Sequence, residues 1–503
     1  MKNKWPLIIL LLIIVGYLVF PLIKLTFTGL KLAKNSSQTL KSATIYAQNL
    51  FSSDQEEQRS YSEKLKIDLK ITGDTLNSFI NQSQKSRLAK LFINDRFKQL
   101  NTAQELIPAA EKLLAGNHTH ILLFQNSEEL RATGGFLGSY AKLELSDGVL
   151  KTFEIQDIYV PDGQFNWFIE APAGAKEYLS GGDGLRLRDA NWHPDFPTSA
   201  QQILTYMAWG KEAGIDGVVA INLPIIEKIL TITGPIFIPD YNQTVTDKNF
   251  ADIARADRSN FFPGSVTKKH FLSTFFNQLV FKLQSLDQSQ QRQLVEEMIT
   301  SALHKDITFF SHDDELQNIF ENLNVSGQLI KAENTLSLML VESNVGINKA
   351  NQHLDRAVDL QIKEKSSLVS VTFTNHNFPP PTQQKKANEA NHLGYVNYQR
   401  IVLPAVVEAR NLVFDDLIIE SWNEELITNS KGESFRQVGF LVTIPEQTTK
   451  KLSFEIDHPT FGELNKIFIQ KQAGLPPTLY SISHQDFQQS FELNKDTLVE
   501  FTP

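Results

Sequence analysis

Between Lys4 and Lys24 the chain reads WPLIILLLIIVGYLVFPLI, nineteen residues without a charge. At about 1.5 Å of rise per residue, a helix of this length covers the roughly 30 Å hydrocarbon layer of a bilayer. Trp5 stands where an interfacial aromatic would stand. A buried core helix is the plainer alternative, and the length, apolarity and terminal position of the run count against it. A cleavable signal peptide would have a shorter apolar stretch followed directly by small residues, whereas this run ends in Pro21, Leu22, Ile23 and Lys24. The chain has no cysteine, so lipoprotein acylation is excluded. The expectation is a retained transmembrane anchor over residues 1–34, with nearly all the mass on one side of a membrane. Lys2 and Lys4 precede the run while Lys24, Lys31 and Lys34 follow it, so the positive-inside count is close to even and does not orient it.

About 480 residues remain, enough for two or three domains. The whole chain's hydrophobic content of 41% supplies a sizeable core. A net charge of -9 without any basic block argues against nucleic acid as a partner.

Residues 35–117 read as a membrane-proximal helical segment, with helical spacing through TLKSATIYAQNLF and RLAKLFINDRFKQLNTAQELIPAAEKLLAG. Gly73-Asp74-Thr75 and Asn117 are expected to punctuate it, and Pro108 to start or kink a helix. Over 118–335 strands alternate with helices. HILLFQN is a buried strand, and the runs on either side of Ser146-Asp147-Gly148 form a hairpin. SAQQILTYMAWGKEA is a helix, GIDGVVAINL a strand, and PIIEKILTITG a helix opened by Pro224 and closed by Gly234. This pattern predicts an α/β domain with a layered, mixed sheet. Over 336–503 helices nearly vanish, and strand-like runs separated by turns predict an antiparallel β domain of sandwich type.

Three polar clusters could carry chemistry. In QNSEELRATGGFLGS, Glu128, Glu129 and Arg131 follow a buried strand, and Thr133-Gly134-Gly135 could form a nest of backbone N–H groups for an anion such as phosphate. A tight strand connection explains the same residues. In LRLRDANWHPDFP, Arg186, Arg188, Asp189, Asn191, His193 and Asp195 could offer oxygens to a divalent cation; a polar loop capping the next helix explains them equally well. In ARADRSNFFPGSVTKKHF, Arg255, Arg258, Lys268, Lys269 and His270 bracket a Pro-Gly turn in a way that suits a pyrophosphate, or are ordinary solvated charges.

The stretches QNSEELRATGGFLGSYAKLELSDGVLKTFEI, DANWHPDFPTSA, IDGVVAINLPIIEKILTITGPI and VESNVGINKA resemble a bacterial family known as domain of unknown function 4012. The order of elements over the same region is also similar to the LytR-CpsA-Psr family, signal-anchored extracytoplasmic enzymes that transfer glycopolymers from polyprenyl-pyrophosphate lipids to peptidoglycan or similar acceptors. That second resemblance implies catalytic roles for Arg131 and Asp157. It implies phosphate binding by Arg255, Arg258, Lys268, Lys269 and the Gly134-Gly135 turn, and a magnesium ion for which Glu128, Glu129 and Asp189 are the candidate ligands. This sequence departs from the pattern in three respects, one being that the pair Arg255 and Arg258 is spaced by two residues instead of one. The family's metal-holding Asp positions read Gln125, Asn126 and the Thr133-Gly134 turn, and the Arg expected before Asp157 is Gln156.

Two functions follow as expectations. The first is a membrane-anchored cell-envelope protein that binds or transfers a polyprenyl-pyrophosphate-linked glycopolymer, with the lipid-linked glycan or peptidoglycan as partner. The second is a non-catalytic surface binding or structural protein with a degenerate site.

Overall fold

The computed structural model describes residues 30–85, 97–164, 167–250, 253, 266–378, 394–458 and 464–501. The uncharged run over residues 5–23 lies outside them. Among the described residues no helix is long and apolar enough to cross a membrane. That finding overturns the expected architecture led by a spanning helix, and with it the expected single-pass membrane location. Helix α1 (Leu30–Asn49) has the length, but Lys31, Lys34 and Lys41 interrupt it, and its apolar side (Leu32, Ala43, Tyr46, Ala47) is spent on the protein's own core.

Helices α2 (Gln55–Lys85) and α3 (Phe97–Leu114) pack with α1. Asp54 caps α2 by accepting from the N–H groups of Glu56 and Glu57. Gly73, expected as punctuation, lies inside α2. A Cβ there would come 3.1 Å from Ile107 Cγ2 of α3, so the glycine permits close helix approach instead of ending the helix. Pro108 likewise lies within α3. These helices are no separate stalk: Leu69, Leu106 and Ile107 share one core with Leu143, Leu145 and Phe153 of the sheet.

That sheet has five strands: β1 (Asn117–Arg131), β2 (Gly134–Ser146), β3 (Val149–Asp157), β4 (Gly217–Asn222) and β7 (Ile307–Ser311), in the order β3-β2-β1-β4-β7. β1 and β4 run parallel, and the other pairs antiparallel. The β2–β3 hairpin turns at Asp147 (φ 49°) and Gly148 (φ 75°), the two positive φ values that a two-residue turn of this hand requires. Both faces are covered, and the pleat sorts the side chains. Val219 and Ile221 of β4 join the core shared with α1–α3, while Val218 and Ala220 join a second core with α4 (Phe196–Trp209). Helix α5 (Pro224–Thr233) follows β4 directly, opened by Pro224 and closed by Gly234 as the sequence predicts. A small hairpin, β5 (Ile236–Ile238) with β6 (Gln243–Val245), comes next. Helices α6 (Val266–Gln284), α7 (Gln288–Leu303) and α8 (Asp314–Asn322) complete the first layer.

A β sandwich begins at β8 (Leu336–Val341). One sheet orders β14 (Asn423–Thr428), β15 (Ser434–Ile444), β11 (Tyr395–Pro404), β8, β17 (Lys466–Gln470) and β20 (Thr497–Glu500). The other orders β13 (Leu417–Ile418), β12 (Glu408–Phe414), β16 (Thr448–Asp457), β10 (Ser366–Asn375), β9 (Leu354–Ile362), β18 (Thr478–His484) and β19 (Phe487–Leu493). Their inner faces form one apolar core, as a sandwich requires. The sheets are mixed, not purely antiparallel as the sequence implied, because β8 pairs parallel with β17 and β9 with β18.

The outer face of β11 decides the assembly. Ile401 and Leu403 point into the sandwich, while Tyr398 and Val402 belong to cores shared with the α/β domain. The two domains are therefore fused across a buried joint.

Candidate functional site

Two of the three sequence segments that looked chemically active converge on this joint. Arg131, at the end of β1, is 1% exposed. Its Nε donates to Asp189 Oδ1 at 2.9 Å and its Nη2 to Glu129 Oε1 at 3.2 Å. Its Nη1 donates to the carbonyl of Leu130 at 3.1 Å and, across the joint, to that of Asn344 at 2.9 Å. Burial pulls the pKa of this guanidinium down, but the Asp189 and Glu129 carboxylates outweigh it and leave Arg131 above the ordinary arginine value. Arg131, Glu129 and Asp189 thus do come together, as a closed ionic knot.

The glycine turn serves the same joint. Gly135 N donates to Gln125 Oε1 at 2.9 Å, and a Cβ on Gly135 would lie 2.1 Å from the Asn126 carbonyl. Gly134 (φ +140°) is pressed from the sandwich side by Gly474, whose own Cβ would lie 2.5 Å from Gly134 O. The turn is a close-packed strand connection in place of the expected anion nest.

The segment after Arg186 is a 3₁₀ stretch leading into α4. Asp195 is the helix cap, accepting from Thr198 N (3.1 Å) and Thr198 Oγ1 (2.6 Å). It also accepts from Leu329 N (2.8 Å) and from Ser430 N of the sandwich (3.0 Å). Asn191 donates to Gln125 Oε1 and the Gly135 carbonyl. Asp157 closes β3 and accepts from the N–H of Tyr159 at 2.9 Å. The polar loop read as a cation site is therefore a capping and docking loop.

Of the remaining expected residues, Arg255 and Arg258 lie outside the described residues. Lys268 and Lys269 fall in the first turn of α6. Glu128 is set apart from the knot and lines a cleft. The magnesium ion implied by the transferase resemblance does not fit: the Arg131 guanidinium already bridges Glu129 and Asp189, and a second cation there would meet its charge. Among the described residues no group of three or more His, Asp or Glu is arranged to hold a metal ion.

The sandwich supplies partners that local sequence did not mark. Arg400 stacks on Trp192, 4.6 Å from the ring centroid, and donates to the Trp192 carbonyl (2.8 Å) and Ser343 Oγ (2.9 Å). Among the described residues no carboxylate forms an ion pair with it, and burial pulls it to a pKa of about 10 against the weaker pull of Tyr398 and Glu425. Gln472 donates to the carbonyls of Arg131 (2.9 Å) and Glu342 (2.8 Å). Lys305 pairs with Asp496 at 2.7 Å, and Lys471 donates to the His304 carbonyl at 2.9 Å. Burial lowers the pKa of Lys471 to about 8. The one available signal was a lysine placed directly after the apolar strand KIFIQ.

Beside the joint, beyond the carboxyl ends of the parallel strands β1 and β4, lies a cleft of about 290 Å³. Ligands of α/β sheets commonly bind at this position. Ser127, Glu128, Pro224 and Lys228 line it from the sheet side, with His304 and Asp306 from the start of β7; Asn351, Lys471 and the Gly474–Pro477 turn line it from the sandwich. Lys228 is held by Glu297 (3.0 Å) and Asp306 (3.1 Å). A second cavity, beside Glu342 and Arg356 within the sandwich, measures about 30 Å³ and has room for little more than a water molecule.

No curated protein matches the chain. Among solved structures, one protein of Legionella pneumophila named for nutrient binding aligns at 10% identity with a TM-score of 0.17, over 26% of this chain and half of its own length; a likeness of that size carries no argument. The resemblance to the LytR-CpsA-Psr family rests on the residues alone. Residues 115–258 match the family described as Protein of unknown function (DUF4012). They hold β1 to β6, Arg131 with Glu129 and Asp189, and one wall of the cleft, so it is this part of the chain that is similar to that family.

Proposed function

We propose that this protein is a non-catalytic binding protein that holds a neutral glycan in the cleft between its two domains. The observation that carries this reading is the commitment of Arg131. A transferase acting on a pyrophosphate needs positive charge free to meet the developing charge on phosphoryl oxygens. In this chain the strongest candidate is sealed in the joint and neutralised by Glu129 and Asp189.

The cleft beside it suits a different ligand. Its volume of about 290 Å³ is at the small end for ligand pockets, which run roughly 300–1,000 Å³. Lys228 is balanced by Glu297 and Asp306, so the wall carries little uncompensated charge. Hydroxyl, amide and carboxylate groups of Ser127, Asn351 and Asp306 match the alternating donors and acceptors of sugar hydroxyls. Leu475, Pro476 and Pro477 offer an apolar surface to the C–H face of a sugar ring.

The test uses the full chain in titration calorimetry with neutral oligosaccharides of one to four residues, and inorganic pyrophosphate for comparison. Oligosaccharide binding is expected, at least tenfold tighter than pyrophosphate. It should be lost in Asn494→Trp, which fills the cleft from a half-buried position. A parallel incubation with a polyprenyl-pyrophosphate-linked glycan and magnesium is expected to give no turnover. Turnover, or the absence of any oligosaccharide binding by the folded protein, refutes the proposal.

A further inference from the structure

Sheet edges are a hazard that proteins blunt with short strands, lysine, proline or bulges. Strand β14 has no lysine, proline or bulge, and its only charges are Glu424 and Glu425. It is six residues long, NEELIT, at the end of its sheet, and it pairs with β15 in an unbroken register. Five of its six residues are exposed. In the facing sheet the edge is β13, next to β12. Because β12 meets β15 across the sandwich, β13 and β14 border the same opening.

That opening is apolar. Leu417 is 73% exposed, Ile418 76% and Leu426 64%, with Trp422 at 42% between them. Four large apolar side chains within ten residues form a patch of the kind that marks an interaction surface.

It is also acidic. Asp415, Asp416, Glu420, Glu424 and Glu425 lie in residues 411–429, which contain no Lys or Arg. Lys450 pairs with Asp415 and Arg436 with Glu424. Asp416 and Glu420 have no ion pair among the described residues, and Glu425, near enough to Arg400 to feel its charge, accepts from the Gln437 amide at 2.7 Å.

From the free edge, the apolar mouth and the one-signed charge together, we infer that β14 is a docking site for an extended peptide of another protein, one whose sequence alternates apolar and basic residues. The peptide adds as a strand to β14. Its backbone takes up the unpaired N–H and C=O groups of the edge. Its apolar side chains turn into the mouth beside Leu426 and Ile418, and its basic side chains, on the other face of the pleat, meet Glu425 and its neighbours. This site is independent of the glycan cleft.

The probe is an end-blocked octapeptide of alternating valine and lysine carrying a fluorophore, titrated with the full chain and read by anisotropy. Saturable binding is expected. It should be at least tenfold weaker for the valine–glutamate peptide, for the valine–lysine peptide N-methylated at alternate residues, and for the exposed-site variants Leu426→Lys and Glu425→Lys. The cleft variant Asn494→Trp should bind the peptide as the wild type does, so the two proposals fail separately. Equal binding of the N-methylated peptide would reduce the interaction to charge and overturn the inference. So would the absence of binding, or concentration-dependent dimerisation abolished by Leu426→Lys, which would make a second copy of the chain the occupant.

Discussion

Replacing Arg131 by methionine distinguishes a structural knot from a catalytic site. Methionine keeps much of the length and apolar stem but removes four donated hydrogen bonds, two of which are also ion pairs. Glu129 would then lose Arg131 inside the joint, and Asp189 would lose its closer cation, keeping only Arg188 at 3.8 Å. Removing one partner of a buried pair typically costs about 3–5 kcal/mol, because the stranded charge still pays for desolvation. Loss of the charge-assisted bond to the Asn344 carbonyl adds to this, so the expected loss is at the upper end of that range. Urea unfolding followed by tryptophan fluorescence measures it as a fall in midpoint, with Trp192 placed in the joint to report there. The triple variant Arg131→Met, Glu129→Gln, Asp189→Asn should recover at least half of the lost stability, since it removes the stranded charges as well. Arg131→Lys should remain destabilised, because an ammonium cannot reproduce the planar fork. A loss below about 1 kcal/mol in Arg131→Met, or no recovery in the triple variant, would refute the reasoning and return Arg131 to the list of site residues.

Three further outcomes are expected. His193, buried beside Arg400, has its pKa lowered to about 4 by burial and then by the Arg400 charge. The unfolded chain therefore binds this proton first, and stability present above pH 6.5 is lost as pH falls toward 4, by roughly 3 kcal/mol at about 1.4 kcal/mol per unit. His193→Gln should flatten that slope in acid denaturation. Lys471 has its pKa lowered from 10.5 to about 8, so the folded state releases the proton first and stability should rise between pH 8 and 10.5 in the wild type relative to Lys471→Met, read from urea midpoints across that range. Gly474→Ala places a side chain at φ +78° and 2.5 Å from Gly134 O. The backbone conformation alone costs about 1–2 kcal/mol, and a larger loss in thermal unfolding is expected because neither backbone can yield without opening the joint.

The sequence by itself determined the elements whose causes are local. The β2–β3 hairpin follows from Asp147-Gly148 between two alternating runs, and α5 from Pro224 before and Gly234 after an apolar helical repeat. The strands from β8 onward follow from the change to strand-like runs. These signals sit within a few residues of their effects. What Gly73, Gly134, Gly474 and Arg131 do was decided only by the tertiary structure. Gly73 meets Ile107 of another helix, and Gly134 meets Gly474 from the other domain. Arg131 finds its partners at Asp189 and Asn344, brought to it by two separate loops. In one dimension an arginine near carboxylates reads the same whether it waits for a phosphate or is already neutralised. The difference is burial and the identity of distant neighbours, which no local pattern encodes. The physical reason is that hydrogen bonds and ion pairs are satisfied in space: Arg131 and Asp195 turned inward because the two domains meet at a polar joint in which each finds partners from both sides.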